Sequence, residues 1–218
     1  MVFHLQRACC KGVSELIAVI DYGVGNLFSV EKALLYLGAD VSVTSSANDI
    51  KKADKLVLPG VGAFGDCMKN LDNTGLIPVI LDEISNGKQL LGICVGLQIL
   101  FEGSEESPGV KGLGIIPGMV RKIKADGLKV PHMGWNNISL TEAGSESALF
   151  KGLDQKPYMY FVHSYYAVPD DSGFITAETN YGSRLTAAVK KSNVQAVQFH
   201  PEKSGDTGLR LLKNFIDE

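Results

Sequence analysis

The sequence predicts a single α/β domain, with a central mixed, mostly parallel sheet flanked by helices. Its length of 218 residues suits one domain with a substantial core. In the first half, apolar runs of strand length alternate with segments of helical period, a pattern typical of parallel βαβ units. In the second half, strand-like runs predominate before a last helix, and we expect them to extend the same sheet.

The first half of the chain alternates predicted strands and helices, and glycines end the first two of these elements. Leu16–Tyr22 is an apolar run suited to a buried strand, and a glycine-rich turn follows it. Leu27–Leu37 has apolar residues at helical spacing and stops at Gly38. The later segments are predicted as a strand over Asp40–Thr44, a helical turn over Asn48–Ala53, a strand over Lys55–Leu58, a helical pair over Ala63–Asn86 and a strand over Gln89–Ile93.

Strand patterns predominate after Phe101, with a brief helical piece near Ser147 and a final helix over Asp206–Ile216. No internal repeat or low-complexity linker divides the chain, so we expect one domain over residues 15–218. Met1–Ser14 lacks the features of a signal peptide and is expected to be a mobile extension. Strands are predicted over residues 113–123, 136–140, 158–168, 173–179, 184–191 and 194–199.

The composition excludes several classes of protein. A hydrophobic fraction of 45% with 21% charged residues is ordinary for a folded domain, and a net charge of −3 gives no basic excess for nucleic-acid binding. The most apolar stretch, Leu90–Phe101, is too short to span a membrane. The cysteines form neither a disulfide framework nor a C-x-x-C pair, so we expect a soluble, cytoplasmic protein without a metal or cofactor. They are Cys9, Cys10, Cys67 and Cys94.

Cys94 lies in the sequence G-x-C-x-G, directly after a predicted buried strand and before a helical run. This is the cysteine counterpart of a nucleophile elbow, in which flanking glycines relieve the crowding of a sharp strand-to-helix turn. A helix N-terminus favours both a thiolate and a developing oxyanion. The alternative for Cys94 is an ordinary buried cysteine. Cys67 lies in a predicted helix, where a core or surface thiol is the better interpretation.

A cysteine nucleophile needs a base, and His200 is the best candidate. It ends a strand-like run, and Glu202 two residues later would face the same side of an extended chain and could orient its ring. Pro201 between them suits the end of a strand. His163 is a rival base without a carboxylate at the same spacing, and an exposed His–Glu pair at a strand end is the alternative for His200.

The chain resembles the class I, or triad, glutamine amidotransferases in three motifs: GICVGLQ at Gly92–Gln98, HPEKS at His200–Ser204 and PGVGAF at Pro59–Phe64. Three segments narrow the resemblance to the glutaminase subunits of imidazole glycerol phosphate synthase: DYGVGN at Asp21–Asn26, PGVGAF and, most specifically, PHMGWN at Pro131–Asn136. The resemblance covers nearly the whole chain and implies a flavodoxin-like, three-layer fold.

This resemblance implies a role for each site residue. Cys94 would attack the side-chain amide of glutamine, His200 would carry a proton to the leaving ammonia, and Glu202 would hold His200. A carboxylate such as Glu106 suits the α-ammonium group of the substrate. The family positions imply oxyanion-hole donors at Gly60, Val61 and Val95, and glutamine-binding residues at Gly62, Gln98, Glu106, Ser164 and Tyr165.

The resemblance also implies a partner. The family passes ammonia to a (β/α)₈-barrel cyclase that closes the imidazole ring in histidine biosynthesis. Because 218 residues cannot hold this domain and a barrel of about 250 residues, we expect the cyclase as a separate chain in a heterodimer. The single tryptophan, Trp135, fits an interface, where tryptophan is enriched. The implied interface residues are Asn26, His132, Met133, Trp135, Tyr160 and Lys203.

Three other functions are compatible with parts of the sequence. A glutaminase subunit of another pathway, such as anthranilate or purine synthesis, would share the triad but would not need PHMGWN. A non-catalytic binding module of the same fold would be expected to lose a triad residue, and all three are present. A cysteine protease or redox sensor on a similar sheet would not need Gln98 or the PGVG turn.

Overall fold

The computed structural model describes residues 15–125 and 127–218. The predicted extension, Met1–Ser14, lies outside the described residues. The strands are β1 (Leu16–Ile20), β2 (Asp40–Thr44), β3 (Lys55–Gly60), β4 (Gln89–Cys94), β5 (Gly103–Ser104), β6 (Gly118–Lys122), β7 (His132–Asn137), β8 (Ser139–Leu140), β9 (Tyr158–His163), β10 (Tyr165–Pro169), β11 (Ile175–Tyr181), β12 (Ser183–Lys191) and β13 (Val194–Val197). The helices are α1 (Leu27–Tyr36), α2 (Ala47–Lys52), α3 (Phe64–Asn73), α4 (Ile77–Ser85), α5 (Val95–Gln98), α6 (Glu142–Ser145) and α7 (Gly205–Asp217).

The central sheet has eight strands in the order β2-β1-β3-β4-β13-β12-β11-β8. The five strands from β2 to β13 are parallel to one another, and the last three continue the sheet in antiparallel pairing. The core strands are apolar and buried because helices cover a parallel sheet on both faces. The predicted α/β domain with a mixed, mostly parallel sheet is therefore confirmed.

The second half does not extend this sheet as fully as the sequence suggests. Strands β10, β6 and β5 form a separate three-stranded sheet, and β7 pairs with β9 in a two-stranded ribbon. The single strand predicted over residues 158–168 was wrong, because the chain changes sheets at Ser164, whose carbonyl accepts a hydrogen bond from Ile123 N–H at 2.9 Å. Residues 113–117 are likewise not strand.

The carboxyl ends of β3, β4 and β13 lie side by side, with Gly60 opposite Cys94 in the β3–β4 register. In an open parallel sheet this edge is where ligands bind, because the loops that follow the strands converge there. Within the described part of the chain, the helices are all too short or too polar to cross a membrane.

Candidate active site

Cys94 ends β4 and adopts a strained backbone conformation. With φ 57° and ψ −112°, it is one of two non-glycine residues with positive φ in residues 15–125 and 127–218. Such strain persists where surrounding structure enforces it, often at functional sites. The helix that follows, α5, is a single turn of four residues. The elbow therefore presents the first N–H groups of a single helical turn beside the sulfur, in place of the dipole of a long helix.

Glycines make this elbow possible, as the sequence predicts. A Cβ on Gly96 would lie 1.9 Å from the Leu58 carbonyl oxygen, and a Cβ on Gly92 would lie 2.9 Å from the Gly96 oxygen. Gly60 is equally confined, since its Cβ would lie 2.7 Å from Gly96 N. The backbone of β3 thus packs directly against the elbow, and the oxyanion turn, Pro59–Gly62, starts beside Cys94.

His200 and Glu202 form the predicted pair. His200 Nδ1 lies 2.8 Å from Glu202 Oε1, and both side chains are almost completely buried. The route to this contact differs from the predicted extended chain: β13 stops at Val197, and Pro201–Lys203 is one turn of 3-10 helix. Proline fixes φ near the helical value and therefore starts a turn after His200. The exposed-pair alternative for His200 is excluded by its burial.

Two hydrogen bonds hold the backbone of His200, and a third joins their partners to each other. Its N–H donates to the Tyr160 carbonyl at 2.9 Å, and its carbonyl accepts from the Ser204 hydroxyl at 2.6 Å. The same hydroxyl accepts from Tyr160 N–H at 3.0 Å, so Ser204 joins β9 to the 3-10 turn. This arrangement fixes the imidazole relative to β9 and to the start of α7.

The charge on His200 is set by two neighbours. Burial lowers its pKa, but the Cys94 sulfur and the Glu202 carboxylate raise it by more, so the pKa of His200 is about 9. The second ring nitrogen, Nε2, is buried without a hydrogen-bond partner among the described residues. His200 is therefore protonated at neutral pH and has a nitrogen available for proton exchange at the nucleophile.

Gln198 is a site residue that sequence reasoning missed. It is completely buried, and its Nε2 donates to Cys94 Sγ at 3.8 Å, while its Oε1 accepts from Gln98 Nε2 at 3.0 Å. Gln98 Nε2 also donates to the Tyr165 carbonyl at 3.0 Å. A carbonyl can only accept, so this contact fixes the Gln98 amide, which in turn points the Gln198 N–H groups toward the sulfur. Its strand-end position two residues before His200 was the available signal.

A cavity of about 320 Å³ opens beside the Cys94 sulfur. It contains every side chain that the resemblance assigns to glutamine binding, together with two of the three predicted oxyanion residues. A wider depression of about 790 Å³ near Ser145–Lys156 contains neither cysteine nor histidine. The smaller cavity is lined by Val61, Gly62, Cys94, Val95, Gln98, Glu106, Pro131, Val162, His163, Ser164, Tyr165 and His200.

Two of the predicted binding residues already have protein partners. Glu106 Oε2 accepts from Phe64 N–H at 2.7 Å, which ties this carboxylate to the start of α3. Gln98 uses its amide nitrogen for Tyr165 and Gln198, so its oxygen is the atom it can offer to a ligand's N–H groups. In residues 15–125 and 127–218, no group of three or more His, Cys, Asp or Glu side chains is placed to hold a metal ion.

His163 lines the cavity but is unsuited to act as the base. Its Nδ1 donates to the Tyr165 carbonyl at 2.9 Å, and its Nε2 accepts from His132 Nδ1 at 2.9 Å. Burial, with the nearby His132 and His200, lowers the pKa of His163 to about 3 despite the Tyr165 hydrogen bond. Burial also lowers the pKa of His132 to about 4. Both rings are neutral at pH 7, which supports His200 over its rival.

These two neutral histidines predict a loss of stability in acid. Their folded pKa values lie below the unfolded value of about 6.5, so the unfolded chain binds more protons as the pH falls through this window. Their stabilising effect is complete above pH 6.5 and is lost below it, by up to about 2.7 kcal/mol of unfolding free energy per pH unit. Urea denaturation at pH 7, 6 and 5 measures this slope.

The matched control is His132→Gln, which removes one of these two rings and should halve the part of the slope that His132 and His163 contribute. His200, whose raised pKa gives a contribution of opposite sign, and the carboxyl groups contribute equally to both proteins, so the difference between the two isolates His132. An identical pH dependence in the two proteins would contradict the assignment.

The predicted interface residues are split between the surface and the interior. Met133 and Trp135 are 62% and 56% exposed on one face of the β7–β9 ribbon, with Tyr160 opposite Trp135. His132 is 2% exposed and its ring stacks between Phe161 and Tyr181. Because alternate residues of β7 face opposite sides, His132 would lie behind the predicted contact surface, and its place near the interface stays a prediction. Asn26 is half-buried and Lys203 is exposed.

Comparisons with known proteins identify the family of the chain. The family model described as "Glutamine amidotransferase class-I" matches residues 18–218. The chain is 51% identical over 202 residues to "Imidazole glycerol phosphate synthase subunit HisH" of Methanothermobacter thermautotrophicus, covering 93% of this chain and 98% of the relative. The protein of the same description from Syntrophotalea carbinolica is 49% identical over 208 residues, covering 93% of this chain and 100% of the relative.

Solved structures support the fold. A structure described as "Crystal structure of glutamine amidotransferase" superposes with a TM-score of 0.71 at 20% identity, covering 92% of this chain and 97% of the other. The PurLQS structure from Thermotoga maritima gives a TM-score of 0.69 at 18% identity, covering 94% and 98%. Taken with the family match over residues 18–218, these findings show that the chain belongs to the class-I glutamine amidotransferase family.

Proposed function

We propose that this chain hydrolyses glutamine to glutamate and ammonia through the triad Cys94, His200 and Glu202, and passes the ammonia to a separate cyclase subunit. Residues 15–218 would form the glutaminase domain. The observation that carries the proposal is the assembly of one cavity from the strained Cys94 elbow, the buried His200–Glu202 pair and the predicted binding residues.

The chemistry follows from the placement of these groups. The Cys94 sulfur attacks the side-chain carbonyl carbon of glutamine, and the carbonyl π electrons move onto oxygen. The tetrahedral intermediate collapses to a thioester when the C–N bond breaks, with a proton from His200 completing ammonia. Water then attacks the thioester, and His200 accepts a proton from it. The C–S bond breaks to release glutamate and the Cys94 thiolate, which is the form that attacks the next glutamine, and the new carboxyl group loses its proton to solvent. The raised pKa of His200 suits the first step, because the ring is already protonated at neutral pH.

Backbone N–H groups would stabilise the oxyanion. Val95 N–H lies at the first position of α5, Val61 lies in the oxyanion turn, and both residues line the cavity. Donors aimed at a developing negative charge accelerate acyl transfer because they stabilise the transition state more than the substrate. Gln98 and Glu106 would hold the amino-acid end of glutamine, with Glu106 facing the α-ammonium group.

The partner is proposed to be a (β/α)₈-barrel cyclase that binds over the cavity. The relatives at about 50% identity are named as subunits of imidazole glycerol phosphate synthase, which supports a second subunit. The exposed face of the β7–β9 ribbon carries Met133, Trp135 and Tyr158, and Val162 from the same face lines the cavity. A partner that covers this face would receive ammonia without release to water.

The direct test is glutamate release from glutamine, with and without the cyclase subunit of the same organism and its phosphorylated nucleotide substrate. We expect slow hydrolysis by the isolated chain and about 100-fold stimulation in the complex, because the oxyanion turn needs its partner to orient a donor. Trp135→Ala should require more cyclase for half-maximal stimulation, whereas Tyr36→Ala, an exposed aromatic on α1, should not.

Either of two results would count against the proposal. Full activity of the isolated chain would exclude gating by the partner. Absence of stimulation, with the triad intact, would assign the glutaminase to another pathway, such as anthranilate or purine synthesis, or to a non-catalytic role.

A further inference from the structure

Two buried groups that the proposed mechanism does not use lie behind the oxyanion turn. Tyr22 follows β1 and is 3% exposed, and Cys67 lies on α3 and is completely buried. The Tyr22 hydroxyl donates to the Pro59 carbonyl at 2.7 Å, and the Cys67 thiol donates to the Val61 carbonyl at 3.4 Å. Each group therefore contacts the turn that carries a predicted oxyanion donor.

Both groups are donors at neutral pH. Burial raises the pKa of Cys67 to about 11. Burial, with the neighbouring Cys67, also raises the pKa of Tyr22. A protonated hydroxyl or thiol can donate its hydrogen to a carbonyl, whereas the ionised forms could not. The two contacts are thus retained throughout the pH range in which the His200 imidazolium is present.

The two carbonyls flank the peptide that matters for catalysis. The Pro59 carbonyl belongs to the peptide before Gly60, and the Val61 carbonyl belongs to the peptide before Gly62. Between these two peptides lies the one that carries Val61 N–H. Peptide units are planar, so fixing the planes on either side restricts how the middle plane can rotate.

Steric confinement acts in the same direction. A Cβ on Gly60 would lie 2.8 Å from the Tyr22 hydroxyl oxygen and 2.7 Å from Gly96 N. Gly60 is therefore wedged between Tyr22 and the Cys94 elbow. The hydroxyl thus contacts the oxyanion turn both through a hydrogen bond and through packing.

We propose that Tyr22 and Cys67 are positioning residues for the oxyanion turn. Their hydrogen bonds to Pro59 and Val61 hold the two peptide units on either side of Val61 N–H, so that the bound partner can orient this donor toward the substrate oxyanion. This inference rests on the proposed glutaminase function. Neither residue touches the substrate; each acts through the backbone of the turn.

The test is Tyr22→Phe, which removes only the hydroxyl, measured as glutamine hydrolysis in the complex with the cyclase. An oxyanion forms only in the reaction, so kcat should fall about tenfold while KM stays within twofold. Tyr36→Phe, at an exposed tyrosine of α1, is the matched control and should leave both constants unchanged.

Cys67 supplies an independent pair of variants. Cys67→Ala removes the donor and should lower kcat about threefold, whereas Cys67→Ser retains a hydroxyl donor and should stay within twofold of the original chain. Restoration by serine distinguishes a hydrogen-bond role from simple packing, because serine and alanine differ little in volume. These variants also test the inference if Tyr22→Phe lowers the folded yield.

The rate at which iodoacetamide alkylates Cys94 is a control measurement, because it should not depend on how the oxyanion turn is positioned. In that reaction the sulfur displaces iodide from carbon and no oxyanion forms. The rate at Cys94, assigned by peptide mass mapping, should be the same in Tyr22→Phe and in the original chain. Loss of alkylation together with kcat would show a damaged elbow and overturn the inference, as would an unchanged kcat. An original chain that hydrolyses no glutamine, with or without the cyclase, would instead refute the proposed function.

Discussion

Cys94→Ala is expected to abolish glutamine hydrolysis, with residual activity at least about 10,000-fold below that of the original chain. The sulfur forms the bond to the substrate, and no other described thiol lines the cavity: Cys67, the second free cysteine in residues 15–125 and 127–218, lies behind the oxyanion turn. Water in the cavity would have to replace a covalent nucleophile. Glutamate release in the presence of the cyclase measures this loss.

The same variant should still support cyclisation when ammonium salt replaces glutamine, because this chain only delivers ammonia. That reaction is the internal control for folding and assembly. Hydrolysis that survives the substitution would refute the role of Cys94. Failure with ammonium salt would show that the substitution damages the complex.

Gly96→Ala should have the second-largest effect. The new Cβ would lie 1.9 Å from the Leu58 carbonyl oxygen, so β3 and the elbow would have to separate. The new Cβ is fixed to the backbone of the elbow and the Leu58 oxygen belongs to the backbone of β3, so neither atom can rotate away as a flexible side chain could. We expect unfolding free energy to fall by about 3 kcal/mol and glutaminase activity to fall about 100-fold, since displacements near 1 Å disrupt catalytic alignment.

Gly38→Ala is the matched control for this prediction. Gly38 has a positive φ of 87°, but its Cβ would meet nothing within 4 Å, so the substitution introduces backbone strain without a collision. It should destabilise the chain by about 1 kcal/mol and leave catalysis intact. Urea denaturation and glutamine hydrolysis, measured for both variants, distinguish the backbone strain of Gly38→Ala from the steric collision of Gly96→Ala. Equal activity losses would contradict the packing argument.

The sequence predicted the elbow well because its signals are local. A strand of apolar residues, two glycines and a following turn all lie within ten residues of Cys94, and the structure places them as expected. The pairing of His200 with Glu202 was also predicted. Its extended geometry was not, because Pro201 starts a 3-10 turn whose hydrogen bonds depend on Ser204 and β9.

Long-range contacts account for what the sequence did not predict. Gln198 acts on Cys94 from 104 residues away, and Tyr22 acts on Pro59 from 37 residues away. Their residue types are common in strands and turns. Only the position of Gln198, two residues before His200, was a local signal, and nothing in the local pattern separates Tyr22 from a packing residue. The burial of His132 follows from its pairing with β9, which the predicted strand boundaries missed. The sheets of the second half were mispredicted for the same reason. The alternation of apolar and polar residues identifies a strand but does not specify which strand it pairs with.

The most direct test of the account is to label the chain with a glutamine analogue that carries a diazoketone in place of the side-chain amide. The diazo carbon takes up a proton, and the thiolate then displaces dinitrogen from it and keeps a stable C–S bond. Because the chain has four cysteines, peptide mass mapping reports selectivity as well as reactivity. We predict label on Cys94 alone, with protection by glutamine and no label in Cys94→Ala. Label on another cysteine, or no label in a chain that still hydrolyses glutamine, would contradict the assignment of Cys94 as the nucleophile.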